Sequence, residues 1–340
     1  MSAPRLSLAT VLLGVLLAAP GAFAHESEPP ERHQFGLIGH HFGTDTDQAP
    51  ALARLKKSSA AFDESTLSFV VATGIKGSRE SCSDELYLER RAVFDESRRP
   101  TIVSPAASDW SDCKTPAGRK ASSERLNRYR EIFFNAPISL GKQPLALTRQ
   151  SDNGKFRSYG ENAHWIVGPV LYATINLPAN NNNFLTAAGR NSEFEDRLVA
   201  NRFWLNRLFA LARRSNFEAV VLFSEGDVKA LEKVSRLRAL LTRAPERQDG
   251  FAATRRQIGQ LAEKFKGKVL LVDTAALAKD AAPEITWRDN LGHVSLGAQA
   301  VRVQVTPGSA TLFALKSARA EAKEGADKKD KKDKKDRKEK

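Results

Sequence analysis

The residues able to do chemistry fall in four short clusters, each just past an apolar run. The first is His40-His41, with Asp45 and Asp47 close behind. Imidazole and carboxylate together suit Zn²⁺ and similar divalent ions. Neighbouring side chains on an extended segment point opposite ways, so His40 and His41 are not expected to share one ion. The second cluster is Ser108-Asp109, after Thr101-Ile102-Val103. The third, Ser224-Glu225-Gly226-Asp227, follows Val220-Val221-Leu222-Phe223, and the fourth is Asp273, after Val269-Leu270-Leu271-Val272. A nucleophilic serine at Ser224 would need a Gly-x-Ser-x-Gly elbow, which its flanks lack. Glu225 and Asp227 are of a type to bind a cation. Asp289 and His293 offer an acid–imidazole pair, but the spacing is one residue too long for a closing Asp-x-x-His hydrolytic block and no Gly-Asp-Ser block opens the chain. That segment reads instead as a closing hairpin, with residues 301–305 as a strand.

The elements that must position these groups centre on residues 69–113. Two apolar runs, Phe69-Val70-Val71-Ala72 and Thr101-Ile102-Val103, are each followed by Gly, Pro or small polar residues and are separated by an amphipathic stretch. That predicts strand, loop, helix, strand, loop. Loops at the carboxyl ends of parallel strands are where α/β proteins carry their sites, which singles out residues 74–76 and 106–109. Farther on, residues 124–134 read as a helix, and residues 165–167 and 170–175 as a hairpin about Gly168-Pro169. Residues 193–214 form the clearest helix, with Phe194, Leu198, Phe203, Trp204, Leu205, Leu208, Phe209 and Leu211 on its apolar face. Residues 219–223 and 268–273 are buried strands. Residues 229–243 and 252–265 are surface helices around a Pro-containing turn.

This pattern, with an earlier strand ending Phe35-Gly36-Leu37-Ile38-Gly39, resembles the calcineurin-like metallophosphoesterases, in particular a bacterial exported group. The resemblance continues through Arg149-Gln150, Glu161-Asn162-Ala163-His164-Trp165, Thr174-Ile175-Asn176-Leu177, Asn180 to Asn183 and Asn201-Arg202-Phe203-Trp204-Leu205. It implies an α/β fold, a four-layer αββα sandwich of two mixed sheets. It also implies a dinuclear metal centre built from a first-strand Asp, a Gly-Asp pair after the second strand, a Gly-Asn pair after the third, and later histidines. Here those positions read His40-His41-Phe42, Gly74-Ile75 and Ala107-Ser108-Asp109, with Ser224 where a His belongs and Asp273 where the family has a Gly-His-x-His block. Two divalent ions roughly 3.5–4 Å apart need a bridging carboxylate to offset their repulsion. Gly74 and Ile75 cannot supply one. The expectation is a metallophosphoesterase-like protein without the catalytic centre, needing no cofactor and acting by binding or scaffolding. The alternative is an active phosphoric-ester hydrolase whose site is rebuilt from His40, His41, Asp45, Asp109, Asp227 and Asp273 around Zn, Mn or Fe. The candidate remnant site therefore comprises His40, His41, Asp45, Ser108, Asp109, Ser224, Asp227 and Asp273.

Of 340 residues, 41% are hydrophobic, enough for a sizeable core. Residues 1–24, with Arg5, an apolar run and Ala22-Phe23-Ala24, read as a secretory signal peptide. The mature chain is then expected in the periplasm or secreted, with no transmembrane segment. A flexible leader (25–34), a single domain (35–315) and a disordered tail (316–340) complete the expected organisation. The two cysteines, Cys82 and Cys113, pair most simply as one disulfide in an exported chain. The net charge of +13 is partly held by the tail, which carries twelve basic against seven acidic residues. Such a tail can touch anionic envelope surfaces. The remaining basic residues are scattered along helices with no dense groove or recognisable module, which argues against a nucleic-acid partner.

Overall fold

The computed structural model describes residues 31–42, 48–115, 117–185, 191–232 and 248–316. The signal peptide, most of the leader, Asp45, Asp47, the greater part of the helix expected at 229–243 and the tail beyond Lys316 lie outside the described residues. In chain order, β1 (His33–Ile38) leads through α1 (Gln48–Asp63) to β2 (Phe69–Thr73), α2 (Asp84–Asp95) and β3 (Thr101–Ser104). A short α3 (Ala107–Trp110) and α4 (Ser122–Phe133) follow. Then come β4 (Thr148–Arg149), β5 (Ala163–Val167), β6 (Val170–Thr174), α5 (Ser192–Arg214), β7 (Ala219–Phe223), α6 (Ala252–Glu263) and β8 (Lys268–Asp273). The chain closes with β9 (Thr286–Arg288), β10 (Leu291–Ser295), β11 (Ala300–Val305) and β12 (Phe313–Lys316).

These strands form two mixed sheets, one of five strands in the order β12-β11-β1-β2-β3 and one of seven in the order β4-β5-β6-β7-β8-β10-β9. The parallel strands β2, β3, β6 and β7 are buried at every residue, which is why they appear in the sequence as unbroken apolar runs rather than alternating ones. One core lies between the sheets. There Phe35 and Phe69 from the first sheet stack with centroids 5.1 Å apart, and Trp165 and Phe223 from the second at 5.8 Å. A second core lies between the seven-stranded sheet and α5 and α6, and a third between the five-stranded sheet and α1, α2 and α4. The order of layers is therefore helix, sheet, sheet, helix.

Some boundaries differ from expectation. β1 begins at His33, two residues into the expected leader, because the His33 ring meets the Tyr172 hydroxyl at 2.6 Å across the two sheets. α6 ends at Glu263 rather than at residue 265. Phe203 is 37% exposed, since it leaves the sheet face of α5 and packs against Phe156 at 4.7 Å. The hairpin falls as expected, Val167 pairing with Val170 around Gly168 at φ +54°. Cys82 and Cys113 are bonded, tying the approach to α2 to the end of α3. A closed loop of this length lowers the unfolded chain's entropy by about 2–4 kcal/mol. Among the described residues, no helix is long and apolar enough to cross a membrane.

Candidate functional site

The carboxyl ends of β1, β2, β3 and β7 converge between the sheets on a buried group of four charged or titratable side chains. His40, just after β1, reaches across to Glu225, just after β7, with Nδ1 3.3 Å from Oε1. Its other nitrogen, Nε2, lies 3.3 Å from the Lys76 carbonyl and 3.2 Å from the Ser108 hydroxyl. Both ring nitrogens thus face acceptors, the pattern an imidazolium needs. Burial pushes the His40 pKa down, but the hydrogen bond and charge of Glu225, with Asp109 nearby, outweigh it and the net direction is up. The other Glu225 oxygen accepts from the backbone N–H of Ala107 at 2.6 Å and of Ala179 at 2.8 Å.

Asp109 is fully buried on α3. Its Oδ1 accepts from the N–H of Ile75 and Lys76, and its Oδ2 from the N–H of Ala106 and the hydroxyl of Tyr129. Burial raises its pKa, against the pull of His40 and of these N–H groups. Lys76, just past β2, turns inward and is 1% exposed. Its ammonium donates to the carbonyls of Gly77 at 2.8 Å and Ser108 at 2.6 Å. Burial lowers its pKa, opposed by the charges of Asp109, Glu80 and Asp112. Two carboxylates and two basic groups thus balance one another inside the fold.

A dinuclear centre of the kind the resemblance implies does not fit these residues. In the Gly74-Ile75 pair the carboxylate's position is held by Ile75, a fully buried apolar side chain, and Gly74, at φ +72°, packs so closely that an added Cβ would lie 2.4 Å from the His40 ring. A lysine ammonium already supplies positive charge there. Both Asp109 oxygens and one Glu225 oxygen accept from backbone N–H groups, and the other Glu225 oxygen faces His40 Nδ1.

Ser108, His40 and Glu225 stand in the order of a serine hydrolase relay. The details oppose that use. The Ser108 hydroxyl donates to the Lys76 carbonyl at 2.7 Å rather than to the imidazole. Nearby N–H groups that could stabilise an oxyanion are committed, those of Ala106 and Ala107 to carboxylates and that of Asp109 to the Ala106 carbonyl. Ser108 and His40 are 7% and 6% exposed. Neither Ser108 nor His40 lines the cavities opening at this end, one of about 630 Å³ including Ser111, Asn180 and Cys113, and one of about 600 Å³ that reaches Glu225 and Asp227.

The remaining candidates scatter. His41 points to the opposite side of the segment, its Nε2 3.1 Å from Ser58 on α1, and burial depresses its pKa to about 4. Ser224 spends its hydroxyl on the Gly226 carbonyl. Asp227 and Asp273 do come together, and with them His293 on β10, their ligating atoms all within 4.8 Å of one another. Lys76 and Glu225, and farther out His293, are the functional-type groups that sequence reasoning left out of the site. An acid at the end of β8 and a histidine on the expected closing segment were the only signals for His293. The buried asparagines of the framework have structural partners. Asn162 bridges Gln150 and Asn201, and Asn182, in the left-handed region at φ 56°, is gripped by Arg197. Asn181 and Asn183 share that conformation, which asparagine tolerates better than most residues, so the run is a shaped turn. No protein-family model matches the chain, and neither does any curated protein.

Proposed function

We propose that the chain is an exported, non-catalytic binding or scaffold protein of metallophosphoesterase-like fold, in which a self-neutralising ionic cluster stands where the catalytic metals would be. The observation that carries this reading is Lys76, a buried ammonium held by two carbonyls beside Asp109, directly after the Gly74-Ile75 pair that supplies no carboxylate. The fully buried, apolar Ile75 supports it, since it stands where the family's Gly-Asp pair has its carboxylate. Export is supported by the signal-like first 24 residues and by the Cys82–Cys113 bond, which persists in oxidising compartments. The Lys-rich tail suits electrostatic contact with an anionic envelope surface.

The test is hydrolysis of bis(p-nitrophenyl) phosphate and p-nitrophenyl phosphate by the mature protein supplied with Mn²⁺, Zn²⁺ or Fe²⁺. The expected rate equals that of buffer with the same ion. Turnover that disappears in both His40→Gln and Asp109→Asn would overturn the proposal in favour of a rebuilt hydrolytic centre.

A further inference from the structure

At the outer edge of the same end of the molecule, β7, β8 and β10 are neighbouring parallel strands of the seven-stranded sheet. Each delivers one metal-binding side chain. Asp273 is the last residue of β8, and its register partner on β10 is Ser295. Because side chains alternate along a strand, His293 lies on the same face of β10 as Ser295. Asp227 comes from the turn after β7.

The resulting geometry is compact. The His293 Nε2 atom is 2.5 Å from Asp273 Oδ2 and 3.5 Å from Asp227 Oδ1. The Ser295 hydroxyl donates to Asp273 Oδ1 at 2.8 Å, and the Ala275 N–H donates to the same oxygen at 2.9 Å. Those two bonds fix the carboxylate and leave Oδ2 aimed at the imidazole. This is not a catalytic relay, because Ser295 and Asp273 both approach the same ring nitrogen, whereas a relay needs one on each.

We infer that Asp227, Asp273 and His293 form a mononuclear divalent-cation site, Zn²⁺ being the best match, separate from the closed cluster around His40. One imidazole and two carboxylates are a donor set that Zn²⁺ accepts, usually with water in the fourth position. Tetrahedral ligands at about 2.0–2.1 Å from zinc sit about 3.3 Å from one another. The His293–Asp227 separation already matches that spacing. The His293–Asp273 pair must open by less than about 1 Å, and the bond between them is replaced by two bonds to the ion. Ser295 and the Ala275 N–H act as the outer layer that orients the carboxylate.

Two further observations set this group apart from the inner one. An access route exists, since Asp227 lines the cavity of about 600 Å³ together with Ala179, Phe251 and Ala275. The nearby cationic side chains have other partners: Arg255 pairs with Asp249 and the Val228 carbonyl, and the Lys229 ammonium with Glu232, while the Lys229 N–H holds the Asp227 carboxylate through Oδ1 at 2.6 Å. Neither neutralises the two carboxylates. Asp273 stands at the position of one ligand block of the centre that the resemblance implies, but none of the three donors comes from the five-stranded sheet, so the site is not that two-sheet dinuclear centre.

The experiment is calorimetric titration of the chelator-treated mature protein with Zn²⁺ alone, repeated with Co²⁺ to record the visible spectrum of the bound ion. One site is expected, with His293→Ala abolishing it and His40→Gln leaving it intact. Ser295→Ala should weaken it about tenfold, as loss of an outer-layer bond usually does. Asp227→Asn is the variant least able to disturb folding, its side chain being a quarter exposed, and it should weaken binding and change the Co²⁺ spectrum. Absence of binding, or binding unaffected by both His293→Ala and Asp227→Asn, overturns the inference and leaves the non-catalytic proposal standing. Binding lost in His40→Gln but kept in His293→Ala overturns both, since the metal would then sit between the sheets.

Discussion

Replacing Lys76 with methionine keeps the length and apolar stem of the side chain and removes only the ammonium. The Gly77 and Ser108 carbonyls then lose their donor, and Asp109 and Glu225 are left with His40 as the one remaining basic group of the inner cluster. Removing one member of a buried charge pair costs about 3–5 kcal/mol, because its partner stays desolvated and uncompensated. At about 2–4 °C per kcal/mol for a domain of this size, the melting temperature should fall by about 6–20 °C. The assay is thermal and urea unfolding followed by circular dichroism, with the disulfide intact and with and without chelator. Asp109→Asn should be destabilising in the same range, and the double variant should cost less than the two singles together, by about 0.5–3 kcal/mol. A Lys76→Met protein within about 1 kcal/mol of the parent, or strictly additive singles, would refute the cluster as a coupled ionic unit. A stability loss in Asp109→Asn that vanishes in chelator would mean that Asp109 holds a metal.

Gly74→Ala should destabilise severely and unfold part of the preparation at 37 °C, because it combines φ +72° with a Cβ placed 2.4 Å from the His40 ring; a normal melting curve would contradict the packing there. Ile75→Asp, which puts a carboxylate at a fully buried apolar position, should fail to confer metal-dependent phosphoesterase activity, measured with added Mn²⁺. His164 is buried beside Trp204, and burial lowers its pKa to about 4 in the folded protein against 6.5 for a free histidine. The unfolded chain then takes up the proton first, so stability falls as pH drops from about 6.5 to about 4, by about 3 kcal/mol from this residue at the limit. His164→Phe should remove that part of the acid sensitivity in urea melts at pH 7.5 and pH 4.5, and an unchanged difference between the two pH values would count against it. Cys82→Ser with Cys113→Ser should lower stability by about 2–4 kcal/mol, read from the urea midpoint without reductant.

Much of the frame was legible in the residues alone. Strands such as Ala219–Phe223 and Lys268–Asp273 were found to the residue, because burial on both faces writes an uninterrupted apolar run. Asp45, by contrast, was proposed on composition and lies outside the described residues. The cysteine pair needed only its isolation and the export-like start of the chain. That Gly74-Ile75 offers no carboxylate was equally visible, since neither side chain can ligate.

What surrounds that pair was decided by tertiary structure. Lys76 reads as an ordinary surface cation beside a turn, and only the closure of β2, β3 and α3 around it makes it a buried one. Glu225 reads as a polar residue after a strand, yet it neutralises His40 from the opposite sheet. His293 gains its significance because β10 pairs in parallel with β8, setting it beside Asp273 on the same edge. Local periodicity records which face of an element is buried, whereas the partner across a sheet or between two sheets depends on strand order, and no spacing within the sequence encodes that order directly.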